Sequence, residues 1–185
     1  MGALILAIDL GTSGPKVGLI TPQGVVIACE IESTKLDILP GGGAEQDPDD
    51  WWRAIKTATA RLLADNPDAV GDIKAIGCTS QWSGTVAVDR DGRHLIPAII
   101  WMDSRGAPYA QKITGGFPKI EGYGLSRLIA WVRLTGGIPT QSGKDPIAHI
   151  LYIKHQLPDI YRHTYKFLEP KDYLNLRLTG LFASS

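Results

Sequence analysis

The sequence predicts a mixed α/β fold in which short apolar strands open the chain and an amphipathic helix follows them. Three observations carry this reading. Short aliphatic runs broken by Gly, Pro and small polar residues fill the first part of the chain. The segment EQDPDDWWRAIKTATARLLA spaces its apolar residues at the helical period, and further short apolar runs, Ile73 to Cys78 first among them, come after it. Period-two segments on either side of a period-3.6 segment are what a sheet covered by helices requires.

Leu4 to Leu10 and Lys16 to Ile20 are rich in aliphatics and separated by Gly-Thr-Ser-Gly-Pro. That is a hairpin signal with a loop of about five residues. Pro22-Gln23-Gly24 supplies a second turn, and Val25 to Ile31 completes a three-stranded β-meander. After a loop holding Gly41, Gly42 and Gly43, Asp47 stands as helix N-cap, with Pro48 at the first helical position and Asp50 in the first turn. Trp51, Ile55, Ala58 and Leu62 then recur on one wide core face, and Trp52 reads as a second core aromatic. Ile73 to Cys78, Thr85 to Val88 and Ile96 to Trp101 read as short strands, the last two joined through Asp89-Arg90-Asp91-Gly92. Beyond Arg105 the chain is dense in Gly and Pro around a single helix, Leu125 to Leu134, and reads as an inserted, irregular subdomain over residues 106–145. Asp145-Pro146 opens a helix through His155, and Pro170 opens another that Gly180 ends. Three hairpin strands, a crossing helix and a further strand are the order of one lobe of the ribonuclease H-like fold, which serves nucleases, sugar kinases, actin and chaperone ATPases.

Composition narrows the partners. The 185 residues, 44% of them hydrophobic, can fill a real core. Nineteen basic residues balance nineteen acidic ones, so no net field draws nucleic acid, while one local phosphate site stays compatible. Cys29 and Cys78 lie in apolar runs without metal-type spacing and read as buried thiols of a cytoplasmic protein. The N-terminal apolar run meets Asp9 before it is long enough for a signal core or a bilayer span, so no membrane partner is expected. His94, His149, His155 and His163 show no ligand spacing and read as surface residues or as supports behind a site.

Asp9 is the first candidate for chemistry. A carboxylate closing an inner strand is costly to bury alone and needs a metal, backbone donors or a basic partner. The adjacent Gly11-Thr12-Ser13-Gly14 turn offers amides and hydroxyls to phosphate oxygens, and a hydrated Mg²⁺ between carboxylate and phosphates relieves their repulsion. Lys16 adds positive charge. The competing reading is that Asp9 only caps its own hairpin.

The segments AIDLGTSG, GGAEQDPDDWW, IKAIGCTSQWSGTVAVDRDG, PAIIWMDSR and FLEPKDYLNLRLTG together resemble the FGGY carbohydrate kinases, with the xylulokinase-like branch nearest. The resemblance covers most of residues 1–185 in order and implies an ATP-dependent kinase that phosphorylates a hydroxyl of a ketose or polyol, with ATP and Mg²⁺ as cofactors. It places Asp9 near the metal through water, and Thr12, Ser13, Gly14 and Lys16 at the nucleotide phosphates. It places Gln81, Trp82, Ser83 and Asp103 at the sugar, with Arg105 orienting Asp103 or serving as a structural salt bridge. Where the branch usually reads Gln-Met-His-Gly this chain has Gln81-Trp82-Ser83-Gly84, and where it reads Trp-Asn-Asp-x-Arg this chain has Met102 in the polar position. An indole suits the C–H face of a sugar, so binding is expected to survive with altered specificity. Trp82 reads equally well as a core aromatic. The GGAEQDPDDWW block reads as architecture, with Glu45 at the pocket rim.

The resemblance also implies a catalytic base in a Gly-Gly-Asp segment downstream, and a C-terminal nucleotide lobe, beyond the final Ser185. The chain is therefore expected to be an N-terminal domain, inactive alone; the sequence leaves open whether the full-length protein forms a homodimer. A non-catalytic sugar-binding or sugar-sensing module is the alternative. A nuclease of this fold needs carboxylates at neighbouring strand ends, and Gly77-Cys78-Thr79-Ser80-Gln81 carries none. A chaperone-like or actin-like ATPase leaves SQWSG and WMDSR without a purpose.

Overall fold

The computed structural model describes residues 2–184. In chain order it forms β1 (Leu4–Gly11), β2 (Gly14–Ile20), β3 (Val26–Ile31), β4 (Asp37–Leu39), β5 (Gly43–Gln46) and α1 (Pro48–Asp65). Next come β6 (Ile73–Ser80), β7 (Val86–Val88), β8 (Ala98–Ile99), α2 (Ala107–Thr114), β9 (Lys119–Ile120), β10 (Tyr123–Gly124) and α3 (Leu125–Thr135). The chain closes with α4 (Pro146–Gln156), α5 (Pro158–His163), β11 (Lys166–Leu168) and α6 (Pro170–Thr179). These elements divide into two compact units, one made of residues up to Asp37, Gln46–Trp82 and Leu168 onward, the other of Ile38–Glu45 and Ser83–Phe167.

The first unit is built on a four-stranded sheet of order β3-β2-β1-β6. The β1/β2 and β2/β3 pairs are antiparallel and β1/β6 is parallel, so the meander is followed by a strand that runs beside its first member. Alternation along β1 sends Leu4, Leu6, Ile8 and Leu10 into the core and leaves Ile5, Ala7 and Asp9 half-exposed on the other face. Helix α1 packs across β2 and β3, and α6 against β6. The start of α1 is set as its sequence requires: the Asp47 side chain accepts from the Asp49 amide at 2.9 Å and Pro48 opens the first turn. Trp51, Ile55, Ala58 and Leu62 are all buried, each large side chain contributing roughly 1.5–3 kcal/mol. Trp52 is half-exposed instead, with the Arg177 guanidinium 5.1 Å above its ring. Successive helical residues point about 100° apart, so a single core face takes one of two adjacent tryptophans.

Two further expectations are corrected in this unit. The β1/β2 ladder continues to the pair Gly11↔Gly14, which shortens the hairpin connection to Thr12-Ser13. Cys29 is exposed and Cys78 half-buried, because they lie on β3 and β6, the outer strands of the sheet, where a side chain has neighbours on one side only. Burial still raises the Cys78 thiol pKa. Ellman's reagent at neutral pH is therefore expected to modify Cys29 first, with Cys78 following roughly tenfold or more slowly, since the thiolate is the nucleophile. Equal rates in the Cys29→Ser and Cys78→Ser variants would contradict the assigned exposures.

The second unit holds the three-stranded sheet β4-β5-β8, the pair β11-β7 and the small hairpin β9-β10. Ala87, Ile99 and Ile153 form its buried centre, with Tyr152, Tyr161 and Phe167 packed around them. Helix α2 packs on α3 and α4, and α4 on α5. The Gly- and Pro-rich segment thus carries α2 and a hairpin as well as the predicted helix α3. Its Pro108 lies in the first turn of α2, where a missing N–H costs nothing, so an apparent loop signal is a helix start. The strands expected over Thr85 to Val88 and Ile96 to Trp101 shrink to β7 and β8, extended by an isolated Thr85↔Ile99 bridge.

Candidate functional site

The hairpin end of the first unit assembles the residues predicted for phosphate. Asp9 and Lys16 face each other across the β1/β2 ladder, and Lys16 Nζ lies 3.4 Å from Asp9 Oδ2. The Asp9 side chain is 46% exposed, so its charge needs no metal to offset burial. An exposed pair of this kind contributes about 0–1 kcal/mol and yields easily to a stronger ligand. Thr79 of β6 is the register neighbour of Asp9 on the other side. Both flank a hollow of about 430 Å³ on the open sheet face, which Lys16, Ala7 and Gly18 also line. The turn is held by a strap: the Glu32 amide donates to Pro15 O at 3.1 Å and the Thr34 amide to Ser13 O at 3.2 Å. That strap explains Gly14, whose φ is +136° and whose missing Cβ would lie 2.0 Å from the Glu32 carbonyl oxygen.

Behind the turn runs a chain of side-chain hydrogen bonds that the sequence did not suggest. Thr12 Oγ1 donates to Gln81 Oε1 at 3.1 Å, Gln81 Nε2 donates to Gln46 Oε1 at 2.7 Å, and the buried Trp51 indole donates to the same Gln46 oxygen at 3.3 Å. Gln46 itself is buried and donates to Thr12 O at 2.9 Å. The Gln81 backbone amide closes on Leu10 O at 2.7 Å, which places the strand end of β6 beside the turn. Trp82, next in the chain, is 72% exposed, which removes the core-aromatic alternative.

The second unit contains the other two predicted sugar residues, and both are turned inward. Asp103 is 1% exposed. Its Oδ2 accepts from Ala44 N at 2.9 Å and Arg105 Nε at 2.8 Å, and its Oδ1 from Arg105 N at 2.9 Å. Arg105 also meets Glu45 Oε1 at 2.5 Å and stacks over Tyr152 at 4.5 Å. Burial opposes the guanidinium charge, but the hydrogen bonds and charges of Asp103 and Glu45 outweigh it and hold the Arg105 pKa above its ordinary value. Asp103 was expected to accept from sugar hydroxyls and Glu45 to sit at a rim; here their oxygens neutralise a largely buried arginine. Ser83 is 0% exposed, has φ +58°, and donates to Lys144 O at 2.8 Å.

His149, expected at the surface or behind a site, is 0% exposed. Its Nδ1 lies 3.1 Å from Thr85 Oγ1, and its Nε2 is buried. Burial lowers its pKa from 6.5 to about 4, with Arg105 adding to the effect and the carboxylates of Asp103 and Asp145 opposing it. A lowered histidine pKa means that the unfolded chain binds the extra proton first as pH falls. Stability is therefore complete above pH 6.5 and declines toward pH 4, by an amount on the order of 3 kcal/mol. Urea titrations of the unsubstituted chain and His149→Met between these pH values check this: the variant is expected to lose most of the slope, and identical slopes would contradict the assignment.

No helix among the described residues is long and apolar enough to cross a membrane. The chain is 36% identical over 181 residues to the xylulose kinase of Escherichia coli strain K12, covering 98% of this chain and 34% of that protein. It is 32% identical to the xylulose kinase of Bacillus subtilis strain 168, over 96% of this chain and 33% of the relative. A crystal structure of a xyloylose kinase from Brucella ovis superposes with a TM-score of 0.83 at 30% identity, covering 96% of this chain and 34% of that one. A Plasmodium falciparum glycerol kinase with ADP shares the fold, with a TM-score of 0.80 at 20% identity over 97% of this chain and 35% of that one. The chain thus spans about a third of the length of these relatives. Residues 4–185 match the N-terminal domain of one family throughout, and the chain belongs to the FGGY family of carbohydrate kinases.

Proposed function

We propose that this chain is the N-terminal domain of an ATP-dependent kinase that phosphorylates a hydroxyl of a xylulose-like ketose or polyol. The observation that carries this reading is the hairpin end, where a carboxylate, an ammonium group and two hydroxyls meet at a tight turn whose strap forbids any side chain at Gly14. That donor set fits a Mg²⁺-bound triphosphate. Bound there, ATP supplies the transferable phosphoryl group and Mg²⁺ offsets its charge. Asp9 would hold the hydrated cation, Lys16 would offer its ammonium group to a phosphate oxygen, and Thr12, Ser13 and Gly14 would line the phosphates. Gln81 and the exposed Trp82 contact the carbohydrate, the indole against its C–H face. Ser83 and Asp103 act as supports inside their own unit.

The test uses the full-length kinase and this chain side by side, with D-xylulose, glycerol and gluconate as acceptors in a coupled ADP assay. The full-length protein is expected to turn over D-xylulose, and Asp9→Asn to lower kcat by about 10²-fold or more, since misplacing the metal removes charge neutralisation at the transferring group. This chain alone is expected to bind sugar weakly and to release no ADP. Robust turnover by the chain alone, or an unaffected Asp9→Asn enzyme, would defeat the proposal. Trp82→Ala in a calorimetric sugar titration separates sugar contact from phosphate contact, because it is expected to weaken sugar binding and leave nucleotide binding intact.

A further inference from the structure

We propose that Gln46 is a positioning residue: it fixes the orientation of the Gln81 carboxamide and, through it, the direction of the Thr12 hydroxyl proton. The hydrogen-bond geometry stands by itself, and only its consequence for phosphoryl transfer rests on the kinase reading.

An indole N–H only donates, so the bond from Trp51 assigns the oxygen end of Gln46 to the indole side. The nitrogen end is assigned independently, because it faces two carbonyl oxygens, Thr12 O at 2.9 Å and Lys35 O at 3.2 Å, which only accept. With Gln46 oriented twice over, the 2.7 Å contact makes Gln81 present its nitrogen to Gln46 and therefore its oxygen to Thr12. A threonine hydroxyl has one proton, and that proton is committed to Gln81. Thr12 consequently offers oxygen, not a proton, to a hydrated cation, and phosphate oxygens at this turn take their donors from other groups, Lys16 and Ser13. Gln81 keeps its second N–H for an incoming carbohydrate hydroxyl. One buried amide thus sets the polarity of a group on the phosphate side and of a group on the carbohydrate side. None of this depends on Gln46 touching a ligand.

Two substitutions of nearly equal volume separate orientation from packing. Gln46→Met removes the acceptor that orients Gln81. Gln46→Glu, whose buried carboxyl is protonated at mildly acidic pH, keeps one accepting and one donating oxygen in the same places. In ¹⁵N-labelled chain at that pH, hydrogen exchange of the Gln81 carboxamide is expected to quicken roughly tenfold in Gln46→Met, the size of one net hydrogen bond, and to stay slow in Gln46→Glu. Equal Gln81 exchange in the unsubstituted, Gln46→Met and Gln46→Glu proteins overturns the proposal. Should Gln46→Met not fold, Gln81→Met reads the same link from its half-buried end: the Trp51 indole proton resonance is expected to shift as its acceptor loses a competing donor, and an unmoved resonance overturns the proposal. In the full-length kinase, Gln46→Met is expected to raise the KM for D-xylulose about tenfold with a smaller fall in kcat, and Gln46→Glu to restore KM. A protein with no phosphoryl transfer in any form would sink the kinase reading and leave the exchange result standing.

Discussion

Asp103→Ala is expected to lower the unfolding free energy by about 3–5 kcal/mol, the cost of leaving a buried charge without its partner. The carboxylate receives one bond from Arg105 Nε, one from the Arg105 amide and one from the Ala44 amide, and it is almost wholly enclosed. Truncation strands the guanidinium with Glu45 as its remaining carboxylate and orphans two backbone donors. Urea denaturation of Asp103→Ala, Arg105→Leu and the double variant measures the effect. The double variant is expected to be less destabilised than the sum of the singles, because removing both charges leaves neither uncompensated. Additive losses, or an Asp103→Ala loss below about 1 kcal/mol, would show that the pair contributes little.

Gly14→Ala is expected to cost about 4 kcal/mol or more and to open the hairpin turn. Two effects combine: a positive φ that L-residues avoid, worth about 1–2 kcal/mol, and a Cβ driven to 2.0 Å from Glu32 O and 2.9 Å from Ser33 Cα. Both obstacles are backbone, so neither can rotate aside. Gly24→Ala supplies the internal control, since Gly24 also has positive φ, +85°, but nothing lies within 4 Å of its added Cβ. The control is expected to lose only about 1–2 kcal/mol. A Gly14→Ala variant no less stable than Gly24→Ala would mean that the strap over the turn is not rigid.

The elements of the first unit were legible because each has a local cause. Alternating aliphatics specify β1, Asp47-Pro48 specifies the start of α1, and Gly180, at φ +73°, ends α6 as its sequence announces. The hairpin loop was read too long because strand pairing continues into its glycines, which no propensity reports. The cysteines were misread because an apolar strand looks the same in the middle of a sheet and at its edge.

The candidate site divides along the same line. By itself the sequence determined the order of strands and helices in the first unit and the small-residue turn beside Asp9, since these depend on residues close together in the chain. The five ordered segments likewise carried the family. Only the tertiary structure decided that Gln46 holds Gln81, thirty-five positions away, that His149 is buried against Thr85, sixty-four positions away, and that Asp103 serves Arg105 and Ala44. Local propensity and periodicity cannot say which distant donor will meet a polar side chain, because that pairing is fixed when the sheet and helices pack and every buried group must find a partner.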